Sequence, residues 1–268
     1  VNSVEIIAIG NEILLGMIDD TNSGYLARIV RGLGARLRHI CVVPDDLETI
    51  AAEIRSTLAR STRLVLTCGG LGPTEDDLTL AAIAKATNRR LDLNASAREF
   101  VARRYREFAD AGLVSSGELT EARLKMARLP EGARMIINPE GAAPACALEI
   151  GSTFLVSLPG VPRELKSIVE GPLQTLLVEA LGAGGFAEQE LTVECGDESV
   201  LAPVLSATTR NHPVVYIKSR AREFGRDIKF IVTLSAIGSS AEQANDLVRA
   251  ARDEIARALA EVGIGVEP

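Results

Sequence analysis

The chain has 268 residues, 47 % hydrophobic and 24 % charged, enough for one sizeable domain and a smaller one with well-packed cores. A net charge of −7 and a pI near 5.1 argue against broad electrostatic binding of nucleic acid and against a polybasic membrane contact, and 3 % aromatic content with no Trp leaves few stacking platforms for single strands. No run reaches the ~18 apolar residues of a membrane span, and the N-terminus enters a strand pattern without a signal peptide, so a cytoplasmic protein is expected.

Residues 4–9 form an apolar run broken only by Glu5, which suits a strand buried on both faces of a parallel sheet, and the run stops at Gly10-Asn11-Glu12. A helix follows, with Asn22 or Ser23 as cap and Tyr25, Leu26, Ile29, Val30 and Leu33 as its apolar stripe, ending at Gly34. Residues 35–43 read as the second strand. Asp45 to Glu48 has the spacing of a capping box, and Ile50, Ile54 and Leu58 continue as one helix face. Residues 64–68 are the third strand, which runs into a glycine-rich loop and another helix. This alternation produces a parallel sheet.

From 96 to about 128 the pattern is helical and charged, interrupted near 112–117, which predicts two helices, the first held by Phe100, Tyr105 and Phe108. Residues 135–138, 145–150 and 153–158 read as strands, with Glu149-Ile150-Gly151-Ser152 a tight turn between the last two, and a helix is expected from 163 to about 181. Gly182-Ala183-Gly184-Gly185 marks a boundary between domains at 1–181 and 186–268. Beyond it the order is strand 190–195, helix 198–208, strands 214–219 and 228–237, and helix 241–262, which packs as an antiparallel sheet with helices on one face. The expected class is therefore α/β, a mostly parallel sheet sandwiched by helices, plus a small α+β domain. The cysteines Cys41, Cys68, Cys146 and Cys195 are far apart and three lie in strand-like runs, so buried free thiols are expected rather than disulfides or a metal cluster.

The richest segment chemically is Cys68-Gly69-Gly70-Leu71-Gly72-Pro73-Thr74-Glu75-Asp76-Asp77-Leu78-Thr79. Glycines let backbone N–H groups approach an anion, and the following helix adds its positive dipole end. Gly69, Gly70, Gly72, Thr74 and Thr79 are candidate phosphate contacts. Two adjacent acids beside a phosphate require a cation between them; the plainer reading is a turn with Asp77 as a helix cap. In an open parallel sheet ligands gather beyond the carboxyl ends of the strands. Four loops leave such ends, and together they offer Glu12, Asp20, Asp45, Asp76, Asp77 and Glu164, with Gly10, Asn11, Asn22 and Gly160 as further ligand contacts. Taken singly, Asp45 suits a cap as well as a ligand, and Glu164 favours a helix dipole. An all-oxygen donor set suits Mg²⁺ or Mn²⁺, which polarises a phosphoryl oxygen and acidifies water, as cleavage of a phosphoanhydride requires. His39 and His212 lie outside these loops and read as structural or exposed. The basic clusters Arg103-Arg104 and 218–222, and Lys125 with Arg128 on one helical face, are possible anion contacts, although a solvated face explains the last pair as well.

Residues 9–16, 20–23, 43–46, 69–79 and 158–165 resemble, in order and spacing, the N-terminal part of the competence/damage-inducible protein A (CinA) family, over most of residues 1–180. That domain is similar to the molybdopterin-binding fold of molybdenum-cofactor biosynthesis proteins, whose Gly-Gly-Thr-Gly motif and following Arg-Asp pair bind the pterin or its adenylate. By that pattern Asp77 takes the place of the family aspartate and Asp45 that of a second; Asp76 replaces Arg and Leu71 replaces Thr. Residues 186–268 look like the family's small KH-like domain, but without a Gly-X-X-Gly loop, so RNA binding is not carried over. No counterpart of the family's C-terminal amidohydrolase domain is expected in this sequence.

The resemblance implies a metal-dependent hydrolase of a nucleoside-diphosphate-linked small molecule, ADP-ribose first. Asp77 and Asp45 with Asp20 or Asp76 would hold Mg²⁺, Mn²⁺ or Co²⁺, with K⁺ a further candidate, and Glu12 or Glu164 would position water. The alternative it implies is a non-catalytic molybdopterin- or nucleotide-binding protein. Gly141-Ala142-Ala143-Pro144-Ala145 favours that alternative, because the family commonly has Thr at position 142 and Gly at position 145. A small-molecule partner, no nucleic acid, no membrane and a homo-oligomer are expected.

Overall fold

A computed structural model describes residues 2–182, 184–195, 197–221 and 229–267. Ala183, Arg222 and Ile228 of the segments named above lie outside the described residues. The elements are β1 (Ser3–Ile9), α1 (Asn11–Leu14), α2 (Thr21–Gly32), β2 (Arg36–Val43), α3 (Leu47–Ala59), β3 (Leu64–Cys68), α4 (Thr79–Ala86), β4 (Leu91–Leu93), α5 (Ala95–Asp110), α6 (Glu121–Lys125), β5 (Arg128–Pro130), β6 (Arg134–Ile136), β7 (Ala145–Ile150), β8 (Thr153–Leu158), α7 (Pro162–Glu170), α8 (Gln174–Leu181), β9 (Gly185–Glu194), α9 (Glu198–Asn211), β10 (Val215–Ala221), β11 (Lys229–Gly238), α10 (Ala241–Glu261) and β12 (Val266–Glu267). The chain divides into two compact units, residues 1–30 with 36–182, and 31–35 with 183–268.

In the first unit six strands run in the order β2-β1-β3-β8-β7-β6. β1, β2, β3 and β8 are mutually parallel, and β7 and β6 add antiparallel edge pairs. The apolar runs explain the centre: β3 and β8 are buried at every residue, as strands covered on both faces must be. Glu5 is the exception in β1. The residue is 0 % exposed, and its carboxylate accepts two 3.0 Å bonds from Arg60 Nε and one of 2.5 Å from the Thr62 hydroxyl. Burial pushes its carboxyl up, but the bonds from Arg60 and Thr62 and the Arg60 charge outweigh that and hold it below the usual value. Gly151 and Ser152 make the turn between β7 and β8, with Gly151 at φ 58°.

Several local expectations are corrected. α2 is capped by Asp20, whose Oδ1 accepts the Ser23 N–H at 2.9 Å, and not by Asn22 or Ser23. α3 is capped by Asp46, which accepts the Thr49 N–H at 2.8 Å and its hydroxyl at 2.7 Å, so the Asp45 capping box does not form. The expected helix over 163–181 is two helices, α7 and α8, broken at Gly171-Pro172, where Pro172 has no N–H to continue the ladder. The short α1 and the three-residue pair β4 and β5 were not anticipated. Arg128 lies in β5 rather than on a helix face with Lys125.

The second unit is an antiparallel sheet of order β10-β11-β9-β12. Alternate residues of β11, Phe230, Val232, Leu234 and Ala236, are buried against Val248, Ala251, Ile255 and Leu259 of α10, which recur at helical spacing. β12 is an unpredicted short strand. His212 of this unit lies 2.9 Å from Glu254, and Arg220 of the basic cluster pairs with Glu190 at 2.7 Å. No helix among the described residues is long and apolar enough to cross a membrane.

Candidate ligand pocket of the first unit

Beyond the carboxyl ends of β1, β3 and β8 lies a cavity of about 720 Å³, bounded by the loops after those strands, by Asp45 after β2, and by the 140–143 loop. Its floor depends on glycine. Gly69 has φ 108°, and a Cβ there would come within 2.1 Å of the Ile9 carbonyl oxygen in β1. Gly70 has φ 66°, and a Cβ there would meet the Thr79 hydroxyl at 2.4 Å. Only a residue without a side chain passes between the end of β1 and the start of α4 in this conformation. Gly160 runs alongside: a Cβ on it would touch Gly69 Cα at 3.4 Å.

The hydroxyls proposed from the sequence serve the loop itself. Thr79 is fully buried and its hydroxyl donates to the Gly69 carbonyl at 2.7 Å, so it closes the turn and does not face a ligand. Thr74 donates from its N–H at 2.8 Å and from its hydroxyl at 2.5 Å to Asp77 Oδ2. Asp77 is therefore not the cap of α4, whose first residue follows Leu78 with no side-chain cap. Lys125 donates to the Thr74 carbonyl, which places an ammonium beside the loop. The Thr74 hydrogen bond, the backbone and the Lys125 charge hold the Asp76 carboxyl below its ordinary value.

Facing the loop are Asp45 and Glu12. Asp45 Oδ2 accepts the Asn11 N–H at 2.7 Å, tying the loop after β1 to the loop after β2. Burial raises the Asp45 carboxyl, the Asn11 bond opposes it, and the charges of Glu12, Asp76 and Asp77 raise it further. The charges of Glu12, Asp76 and Asp77 thus bear on Asp45.

The opposite wall was largely invisible in the sequence. Asn138, 0 % exposed, accepts the Glu140 and Gly141 N–H groups at 3.1 and 2.9 Å and donates to the Ala143 carbonyl at 2.9 Å and to Glu164 Oε2 at 2.7 Å. Arg104 holds the same loop from α5, donating to the Gly141 carbonyl at 3.0 Å and the Glu140 carbonyl at 2.7 Å, so it is a loop clamp rather than a ligand contact. Burial raises the Glu164 carboxyl, opposed by the Asn138 bond and the Arg104 charge. Tyr105, Phe108, Met126 and Leu71 supply an apolar side. Ala142 lines the cavity, whereas Ala145 begins β7 as a buried residue outside the lining.

Glu12, Asp45, Asp76, Asp77, Glu164, Gly69, Gly70, Gly72 and Gly160 therefore meet at one cavity. Gly10, Asn11, Asp20, Asn22, Thr74 and Thr79 stand behind it: Asn22 donates to the Gly160 carbonyl at 2.7 Å, and Asp20 caps α2. An all-oxygen donor set has the right chemistry for a hard cation. Among the described residues, however, no three of these carboxylates place oxygens within 4.8 Å of one another; that spacing is met only by His39, Cys41 and Glu53.

The family profile described as a probable molybdopterin binding domain matches residues 5–178. A protein of Aeropyrum pernix is 39% identical over 260 residues, covering 96% of this chain and 94% of that protein. A protein of Pyrococcus abyssi is 40% identical over 228 residues, 85% of this chain and 88% of its own. The crystal structure of the protein CinA, with unknown function, from Thermoplasma acidophilum has a TM-score of 0.60 and 32% identity, covering 66% of this chain and 98% of that one. The chain belongs to the family of the probable molybdopterin binding domain, in the CinA-like form.

Proposed function

We propose that the cavity binds a small heterocyclic molecule carrying a phosphate, a pterin or a nucleotide. The observation that carries this reading is the turn at Gly69 and Gly70, which brings backbone to the cavity floor where any side chain would collide with Ile9 or Thr79. The apolar side with Tyr105 and Phe108 suits the ring, and about 720 Å³ is the size of an ordinary small-molecule site. Family membership supports the same class of ligand. The reading takes the partner to be a small molecule rather than nucleic acid, and the chain to work as a homo-oligomer, which solution mass tests.

A second reading, hydrolysis of a nucleoside-diphosphate-linked molecule such as ADP-ribose, is favoured by the acid wall. Glu12, Asp45, Asp76 and Asp77 line the cavity, and carboxylates there oppose an anionic ligand unless a cation lies between. Asp76, Asp77 and Asp45 would have to turn their carboxylates together to hold Mg²⁺, Mn²⁺ or Co²⁺, with K⁺ a further candidate, because no three of the cavity's carboxylates stand within 4.8 Å of one another; the ion would supply polarisation of the phosphoryl group. Asp20 is committed to its cap and is not needed in this set. Glu12 or Glu164 would orient the attacking water, and burial of Glu164 brings its proton equilibrium closer to neutrality, as a proton-transfer group requires. The two readings separate in one experiment. Metal-free protein is incubated with ADP-ribose, FAD and a phosphorylated pterin, with and without each cation, while binding and AMP release are followed. Binding without product supports the first reading; cation-dependent AMP supports the second; neither binding nor product removes both.

A further inference from the structure

Away from the cavity, β2 is an edge strand of the six-stranded sheet, paired with β1 alone. Residues two apart on a strand project from the same face, so His39 and Cys41 stand side by side. Glu53, from the second turn of α3, reaches them: the ligand-capable imidazole nitrogen, sulfur and carboxylate oxygen all lie within 4.8 Å of one another. None of the three lines the cavity. We propose that His39, Cys41 and Glu53 form a binding site for a borderline transition-metal cation such as Zn²⁺.

The donor set selects the metal. Sulfur and imidazole nitrogen are poor ligands for Mg²⁺ or Ca²⁺, whereas a nitrogen, sulfur and carboxylate oxygen set matches Zn²⁺, which takes four ligands tetrahedrally. Three protein donors leave the fourth position to water. His39 is exposed, so an ion can enter and the ring can rotate to close the site, while Cys41 is half-buried against the core and fixes the inner position.

The surroundings are arranged as those of a ligand set usually are. Arg60 Nη2 donates to Glu53 Oε1 at 2.9 Å, fixing the carboxylate. The same guanidinium is anchored by Glu5, which pairs in register with His39 across β1 and β2. Glu5 and Glu53 against Arg60 leave one negative charge beside the site; burial and the Glu53 charge push the Cys41 thiol up to about 12, so the entering cation would have to displace its proton.

The test titrates the metal-free full chain with Co²⁺ as an optical probe and then displaces it with Zn²⁺. The expected result is a thiolate-to-cobalt charge-transfer band that saturates at about one Co²⁺ per chain. Cys41→Ser should abolish the band and weaken Zn²⁺ by at least about tenfold, the loss found even for partners that only touch a ligand. His39→Ala should weaken Zn²⁺ to a similar degree and keep the band. Absence of the band in the unaltered protein, or an unchanged Zn²⁺ affinity in His39→Ala, overturns the proposal. His39 is exposed, so that variant decides the matter even if Cys41→Ser fails to fold.

Discussion

Replacing Asn138 by Ala tests how the cavity is held together. The substitution removes the partner of two backbone N–H groups, one carbonyl and the Glu164 carboxylate, at 2.7 to 3.1 Å. A buried polar group left without a partner costs about 1–3 kcal/mol. The 138–143 loop is also gripped by Arg104, so relaxation and entering water recover part of the loss, and a net destabilisation of about 3 kcal/mol is expected. Native-state hydrogen exchange at the amides of β3 and β8 reads the stability of the first unit. Glu164, deprived of the bond that lowers it, should titrate higher still. Ligand affinity should fall with it, because Gly141 and Ala143, which line the cavity, lose their bonds to Asn138. A change below about 0.5 kcal/mol, within the range of ordinary surface substitutions, would refute the claim that Asn138 organises this wall.

Gly69→Ala should destabilise the first unit by more than about 3 kcal/mol, from a backbone angle open only to glycine and a Cβ at 2.1 Å from the Ile9 carbonyl; urea unfolding checks it. Glu164 and Asp45 are both raised above their ordinary values of 4.5 and 3.8, so the folded state binds those protons more tightly than the unfolded chain. Their cost is absent below the unfolded values and complete above the folded ones. Stability should therefore fall as pH rises through that window, and Glu164→Gln should flatten the fall and be the more stable protein at neutral pH. Asp77→Ala frees Thr74 and opens the loop, and under the hydrolytic reading it should reduce turnover by about a hundredfold or more in a single-turnover assay.

The sheet was legible because its central strands are uninterrupted apolar runs between glycine turns, and the part of the cavity built by the loops after β1, β2, β3 and β8 because those loops leave the ends of the strands. Single caps were not. Asp20, Asn22 and Ser23 are all good cap formers within four positions, and Asp45 and Asp46 are adjacent, so only the backbone geometry decides which carboxylate caps and which is free. The apolar spacing of 163–181 hid the break at Gly171-Pro172, although the dipeptide itself was the available signal. Thr79 was misplaced because a sequence carries no sign of which way a hydroxyl turns. Asn138 and Arg104 act across 26 and 37 residues, on Glu164 and on the Gly141 carbonyl, and nothing in local pattern links them.

The most direct measurement is calorimetric binding of phosphorylated pterins and adenine nucleotides to the unaltered protein and to Val161→Glu, with and without Mg²⁺. Val161 lines the cavity and is 53% exposed, so a carboxylate there repels an anion at the mouth without disturbing the core. The account predicts saturable binding of at least one such ligand and at least about tenfold weaker binding by Val161→Glu, the effect of a like charge worth ~1.4 kcal/mol. Saturable binding that Val161→Glu leaves unchanged, or no binding across the panel, would contradict it.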